Sequence, residues 1–490
     1  DTLLARPSHV GGFRPLRYGG CQMVPGGWND EGSGSANIHF LHRRPSSLAS
    51  VAVHFIFRID NYPHLLRAYG AEVARSALAE LYQIFADSIR DDGLVTPESD
   101  GRLEVLLWNH TLLGEQPLAK ACDNWIHSFC SAIAMVPLDC SGERLLLSVS
   151  GAWARADLGK HDEPGALASS ALHALERIRF PGDAPGHGEA WKEHYRADME
   201  AAAELFGAIE ADESTDASIS IEASIRFSPP RHDSREVALA WQPVSGVGEA
   251  VGILYHECLI RLISSDGKSH PPGGLPEALE RLGLVRALDH YVIKAVIAEL
   301  EQQPDVTLGV NISAHSTRFD GWWQDIVQRL ARNRPVAQRL VIEITETTPI
   351  PSISEATIFA SRMRSLGCMI AIDDFGAGFA SIRQLLALKP DIAKIDRLFV
   401  ARAARSVQDR TAFMHLVGLA NALVPLVIVE GIENDDQCQL ALEAGAQWQQ
   451  GYHHGDPGLT RRWRWGAEST GFSGSLSELL TNASVVGWSS

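Results

Sequence analysis

Between about Leu239 and Pro457, apolar runs of four to six residues recur, and a run of polar residues of restricted type closes them. The closing residues are Glu257, Asn311, Glu343, Asp373, Lys394, Glu430 and Gln450, with successive members about 20 to 54 residues apart. Each interval has the length of one strand–helix–strand unit with some insertions, and helical patterns such as 287–300 and 410–423 lie between the runs. Seven such closures predict a TIM-type (β/α) barrel of parallel strands, whose reactive groups stand at the C-terminal strand ends.

The densest part lies between Ile342 and Asp396. Glu343-Ile-Thr-Glu346, Asp373-Asp374-Phe375-Gly376-Ala-Gly378 and Lys394-Ile-Asp396 each follow a short β-type run. Carboxylates at the ends of neighbouring buried strands are expensive to hold together unless a cation neutralises them. The pattern therefore reads as a divalent-metal site at one rim of the barrel. Any one strand-end Glu is more often a cap or an ion-pair partner than a ligand, but stability alone does not select seven polar closures of these identities. Glu433 reads equally well as a shaping residue or a site residue. Asp396, two residues from Lys394, shares its strand face. His453 and His454 lack partners at ligand spacing and read as surface residues. The Trp322-Trp323 pair reads as helix packing.

Composition limits the partners. The 490 residues are 45% hydrophobic and 21% charged, as in a folded multi-domain protein. A net charge of -17 opposes a role coating polymeric nucleic acid, although it leaves room for a small phosphate ligand. Seven scattered cysteines, with no C-x-x-C pair, fit a reducing compartment, and a cytoplasmic location is expected. No apolar run approaches the roughly 20 residues of a membrane span. The sequence opens at Asp1 without Met, which leaves room for an upstream sensor, partner or membrane attachment.

Five segments are expected. Residues 1–46, rich in Gly, Pro, Ser and Arg, read as a flexible leader. Residues 47–185 alternate strands (50–57, 103–108, 145–149) with helices (66–90, broken near Gly70, and 166–178), predicting a smaller α/β domain. Residues 186–238 hold a charged connector helix over 190–209 and then a polar linker. The barrel occupies 239–457, and a Trp-containing tail of no assigned role fills 458–490.

The barrel segment resembles the EAL family of cyclic di-GMP phosphodiesterases. The matching residues are Trp241-Gln-Pro-Val244, Glu257-Cys-Leu-Ile-Arg261, Asn311-Ile-Ser313 and Glu343-Ile-Thr-Glu346, then Asp373-Asp-Phe-Gly-Ala-Gly378, Lys394-Ile-Asp396, Glu430-Gly-Ile-Glu433 and Gln450-Gly-Tyr452. The family's naming triplet reads Glu-Cys-Leu here, which keeps the acid. The resemblance implies hydrolysis of cyclic di-GMP to linear pGpG with two Mg²⁺ or Mn²⁺ ions. It implies that Glu257, Asn311, Glu343 and Asp373 hold one ion, with Asp373 bridging to a second supported by Asp374 and Glu430. Lys394 would steady the attacking water, Gln450 and Asp396 would position solvent and substrate, and Arg261 would grip a phosphate. Glu346 would anchor the loop containing Phe375, Gly376 and Gly378, and Glu433 would support the site. The alternative is a receptor of the same fold that holds cyclic di-GMP without cutting it, and a third reading is a protein-interaction scaffold.

Residues 47–185 resemble a degenerate GGDEF domain in fold only. The signature position reads Ser99-Asp-Gly-Arg-Leu103, and Arg58 stands where a metal-binding Asp is expected. The resemblance implies no synthase activity, a regulatory role and a homodimer.

Overall fold

In a computed structural model of the chain, residues 51–461 are described apart from 109–116, 158–163, 179, 181, 183, 214–235, 265, 346–347 and 378–381. The expected leader, most of the polar linker, Glu346, Gly378 and the Trp-containing tail beyond Arg461 lie outside the described residues.

The first unit runs β1 (Val51–Ile59), α1 (Tyr62–Tyr69), α2 (Ala71–Ile89), β2 (Gly93–Pro97), β3 (Arg102–Leu107), α3 (Leu118–Met135), β4 (Leu138–Cys140), β5 (Glu143–Leu145), β6 (Val149–Asp157) and α4 (Pro164–Glu176). Its sheet has the antiparallel order β2-β3-β1-β6, with β4 and β5 forming a separate hairpin. The helix expected over 66–90 is two helices, because Gly70 between them has φ +94°, a value that favours glycine. The strand expected over 145–149 is not one element. Leu145, Leu146 and Leu147 form an apolar run buried between the end of β5 and the start of β6. A short buried run looks the same from sequence whether or not it makes ladder bonds.

Helix α5 (Glu189–Glu213) extends past the predicted connector into the expected linker. It is not a solvated spacer. Met199, Ala202 and Phe206 are fully buried. On one side, Leu146 N–H donates to Met199 Sδ at 3.3 Å, and Arg196 Nε donates to Ala68 O at 3.0 Å. On the other, Arg281 grips Asp198 through two hydrogen bonds of 2.9 Å.

The second unit comprises β7 (Glu236–Gly246), β8 (Ile253–Ile263), β9 (Ser269–His270), α6 (Leu275–Leu282), α7 (Val285–Gln302), β10 (Leu308–Ser313), α8 (Gln324–Arg332), α9 (Arg334–Ala337) and β11 (Leu340–Thr345). It continues through α10 (Ile353–Leu366), β12 (Met369–Phe375), α11 (Ile382–Leu388), β13 (Ile392–Ile395), α12 (Arg397–Ala403), α13 (Val407–Leu423), β14 (Leu426–Val429), α14 (Asp435–Glu443) and β15 (Trp448–Gln450). Eight strands close in the order β8-β10-β11-β12-β13-β14-β15-β7, since β8 pairs with both β10 and β7, while β9 hangs outside on β8. The expected all-parallel barrel needs one correction. Strand β7 is antiparallel to both neighbours, because only a short turn joins it to β8 and a short turn permits only a hairpin.

Alternation of side chains puts the barrel in register with its chemistry. Val244, Tyr255, Val341, Met369, Ala371, Ile392, Leu426, Ile428 and Trp448 form one buried cluster separate from the main core. Intervening residues such as Ile342, Ile370, Ala393, Val427 and Val429 join the main core. Two residues beyond Tyr255, Val341, Ala371, Ile392, Ile428 and Trp448 come Glu257, Glu343, Asp373, Lys394, Glu430 and Gln450. An apolar plug thus underlies a polar layer built on the same strand faces.

The six described cysteines are free, and no helix among the described residues is long and apolar enough to cross a membrane. If α5 belongs to the core of the fold, Phe206→Ala should cost about 3–5 kcal/mol, read as a lowered urea midpoint.

Candidate metal centre

Lys394, in the middle of β13, is fully buried, with 0% of its surface exposed. Its Nζ lies 2.7 Å from Glu343 and from Glu430, 3.1 Å from Glu257 and 3.2 Å from Asp373. An ammonium has three protons and cannot serve four carboxylates. A well-formed hydrogen bond goes to Glu257, whereas Glu343 and Asp373 meet the charge off the hydrogen-bonding angles. Glu257 is further held by Asn311 Nδ2 and Gln450 Nε2, each donating at 2.5 Å.

These contacts leave both Glu343 oxygens, Asp373 Oδ1, Asn311 Oδ1 and Gln450 Oε1 buried without a hydrogen-bond donor. Orphaned buried oxygens are costly, and their number here calls for another cation. Oxygen atoms of Glu257, Glu343 and Asp373 come within 4.8 Å of one another, as do those of Asp373, Asp374 and Glu430. Both groups could hold a metal ion, and they share Asp373. An all-oxygen set of carboxylates and an amide suits a hard divalent cation.

Adjacent strand residues normally point to opposite faces, yet Asp373 and Asp374 serve one site. The register shifts between Ile372 and Phe375, and Asp374 adopts φ +51°. This bulge with a left-handed residue turns the second carboxyl toward the mouth, and such local strain concentrates at functional sites.

The electrostatics follow from one lysine among many acids. Burial raises the Glu343 carboxyl to about 8, with Glu257 and Asp373 adding to the rise against the pull of Lys394. Burial, then Asp373 and Asp396, takes Asp374 to about 7. Asp373 is raised by burial, and Glu430 stands well above the carboxylate range through burial and Asp373. For Glu257, burial is outweighed by Lys394 and the Gln450 and Asn311 hydrogen bonds, so its carboxyl sits below the usual value. Burial works against the charge of Lys394, but the surrounding acids keep it firmly protonated.

The outer site residues are placed as follows. Half-buried Arg261 donates to Ile260 O at 2.8 Å, and burial lowers its guanidinium. Asp396 caps α12 by accepting from Leu398 N–H at 2.8 Å and also hydrogen-bonds Asp374 at the rim. Phe375 is buried, and Gly376, at φ +98°, lies against Phe399 and Leu416. Glu433 is exposed, and its backbone N–H donates to Gln437 Oε1 at 2.7 Å. His453 stands 3.4 Å from Asp435, and His454 lies 3.2 Å from Gln449, both away from the lysine. Trp322 and Trp323 form a short 3-10 turn, in which Trp323 is buried and Trp322 meets His127 of the first unit edge-on.

Three site residues went unassigned in the sequence. Gln242 Oε1 accepts from Gln450 Nε2 at 3.2 Å, fixing the amide that serves Glu257. Buried Tyr255 stands below the acids, and its hydroxyl is pushed well above the phenol range by burial and Glu343. Gly309 faces the same space. A Cβ there would collide with Glu343 Oε1 and the Tyr255 ring. The period-2 spacing from Glu257 to Tyr255 and from Asn311 to Gly309 is the signal that reaches them.

Comparison with known proteins adds a resemblance to this geometry. Residues 229–457 match the EAL domain. Over 220 residues the chain is 29% identical to a protein of Escherichia coli (strain K12) named cyclic di-GMP phosphodiesterase PdeF, covering 44% of this chain and 29% of that one. A 233-residue stretch is 28% identical to cyclic di-GMP phosphodiesterase PdeB of Shewanella oneidensis, covering 46% and 27%. The chain thus spans less than a third of the length of these two relatives. The crystal structure of an EAL domain protein from Listeria monocytogenes EGD-e aligns with 47% of this chain and 92% of its own, at 23% identity and a TM-score of 0.43.

Two outcomes are expected. Glu343 and Asp374 titrate above their ordinary values of 4.5 and 3.8, so the stability they contribute is whole below those values and lost as pH rises through about 7 to 8. The melting temperature of chelator-treated protein should therefore fall between pH 6 and 8.5, and added Mn²⁺ should reverse the fall at the alkaline end. Separately, Gly309→Ala should displace Glu343 and weaken Mn²⁺ uptake by at least about tenfold in calorimetry.

Proposed function

We propose that the chain hydrolyses cyclic di-GMP to linear pGpG at the EAL barrel mouth, with two Mg²⁺ or Mn²⁺ ions. The observation that carries this reading is the pair of oxygen-ligand clusters sharing Asp373, lined with buried oxygens that have no donor. Glu257, Asn311, Glu343 and Asp373 would hold one ion, and Asp373, Asp374 and Glu430 the other. Bound there, such ions would lower the pKa of a water and neutralise charge on the phosphate.

The chain's own residues supply the rest. Lys394, whose ammonium the surrounding acids favour, would donate a hydrogen bond to the attacking oxygen. Glu430, at the rim, holds nearby water, and Gln450, fixed by Gln242, keeps Glu257 in place. Arg261 presents its guanidinium to a phosphate, and Asp396 with Asp374 borders the substrate. The water oxygen bonds to one phosphorus, the ribose 3′ oxygen leaves and is protonated, and the product keeps a 5′ phosphate. Glu433 would shape the edge of the site.

The first unit is read as a degenerate GGDEF-like regulator without synthase activity. Arg58 donates to Asp60 Oδ1 at 2.7 Å and to Ile178 O at 2.9 Å, and Ser150 Oγ donates to Asp60 Oδ2 at 2.5 Å. A guanidinium and a hydroxyl therefore already satisfy the acid that a nucleotide-bound metal would need. A cytoplasmic homodimer belongs to the same reading.

The test is purified protein with Mn²⁺ and cyclic di-GMP, followed by chromatography. Linear pGpG is expected, and Glu257→Ala should lower turnover by at least about a hundredfold with the melting curve retained. Binding of cyclic di-GMP without product would favour the receptor, and wild-type rates in Glu257→Ala would overturn the metal assignment.

A further inference from the structure

Outside the ion cluster, two more buried carboxylates converge on one residue. Glu280 of α6 is 4% exposed, and its Oε1 accepts from Ser313 Oγ at 2.6 Å and from Thr348 Oγ1 at 3.4 Å. Asp289 of α7 is 8% exposed, and its Oδ2 accepts from Ser313 N–H at 2.9 Å and from Ser316 Oγ at 2.6 Å. Ser313 is thus clamped through both its hydroxyl and its amide.

The clamp falls at a sensitive place. Ser313 ends β10, two residues past Asn311, and Thr348 follows the end of β11, which carries Glu343. Asn311 and Glu343 face each other in the register of these strands. Helix α6 is itself held from the far side, since Arg281, next to Glu280, makes the two hydrogen bonds to Asp198 of α5. Keeping two acids buried beside a site already crowded with acids works against stability, and burial takes Asp289 to about 7. Simple packing of α6 and α7 against β10 would be served at lower cost by apolar residues.

We propose that Glu280, with Asp289, is a positioning residue that fixes the ends of β10 and β11 so that Asn311 and Glu343 keep ion-binding geometry. This rests on the metal reading given above. A carboxylate only accepts hydrogen bonds, and Ser313 offers its hydroxyl to Glu280 and its amide N–H to Asp289, so the two acids fix this residue at two points. Groups that hold ligands in place from outside set how tightly an ion binds.

The test is Mn²⁺ binding to chelator-treated, full-length chain, measured by calorimetry alongside melting curves. Glu280→Ala and Ser313→Ala should each weaken Mn²⁺ binding about tenfold, and the double variant should be no weaker than Glu280→Ala alone, because that variant has already lost the bond to the Ser313 hydroxyl. Leu279→Ala, a fully buried neighbour on α6, should lower the melting temperature and leave the Mn²⁺ affinity at the wild-type value. If Glu280→Ala fails to fold, Ser313→Ala carries the test. Wild-type affinity in Glu280→Ala or in Ser313→Ala, or equal weakening in Leu279→Ala, overturns the proposal. A wild-type chain that takes up no Mn²⁺ overturns the metal reading and this proposal with it. Weakened binding in the variants of a chain that does not cut cyclic di-GMP would sink the phosphodiesterase reading alone and support the brace.

Discussion

One buried ammonium makes the barrel mouth possible. Four carboxylates brought within 3.2 Å of a single point would not fold together unless protons or a cation offset their repulsion. Lys394 provides a permanent positive charge from inside the fold, which allows the acid layer to form before any ion arrives. It supplies one charge where four acids ask for more, and the shortfall appears as raised carboxyl pKa values and donorless oxygens. That imbalance leaves buried oxygens that could take a hard cation. Had the lysine been matched by a single acid, the centre would be a closed ion pair with nothing left to bind.

Much of this was legible because strands alternate. Glu257, Asn311, Glu343, Asp373, Lys394, Glu430 and Gln450 were readable as one set, since each closes an apolar run and the runs have strand length. Reading them as strand ends was less accurate for Glu257. It sits midway along β8, because the hairpin with β7 carries that strand six residues further. Tyr255 and Gly309 escaped notice for a different reason. An aromatic and a glycine inside a strand look like ordinary filling until the register shows what they face. Asp374 joining Asp373 depends on a bulge, and a bulge leaves no periodic trace.

The upstream unit was harder to read. Elements β1, α2, β3 and α4 were found roughly where alternation placed them, but β2, α3, β4 and the length of β6 were not anticipated, and Leu146 and Leu147 read as strand although they lie buried between β5 and β6. The connector helix looked simply charged because alanines dilute its apolar face. In the fold its buried stripe of Met199, Ala202 and Phe206 packs inward, and its exposed acids dominate the composition. The brace of Glu280 and Asp289 was invisible for a related reason, as single acids on amphipathic helices ordinarily face water.

The reversed direction of β7 has a consequence for how the two units are wired. Its first residue, Glu236, lies opposite Ile263 at the far end of β8, on the side of the ring where the acids open. A barrel whose first strand ran with the others would receive its upstream neighbour at the floor, a full strand length from the chemistry. Here the polypeptide enters from above. Chain direction alone therefore starts the barrel beside the rim that carries the acids.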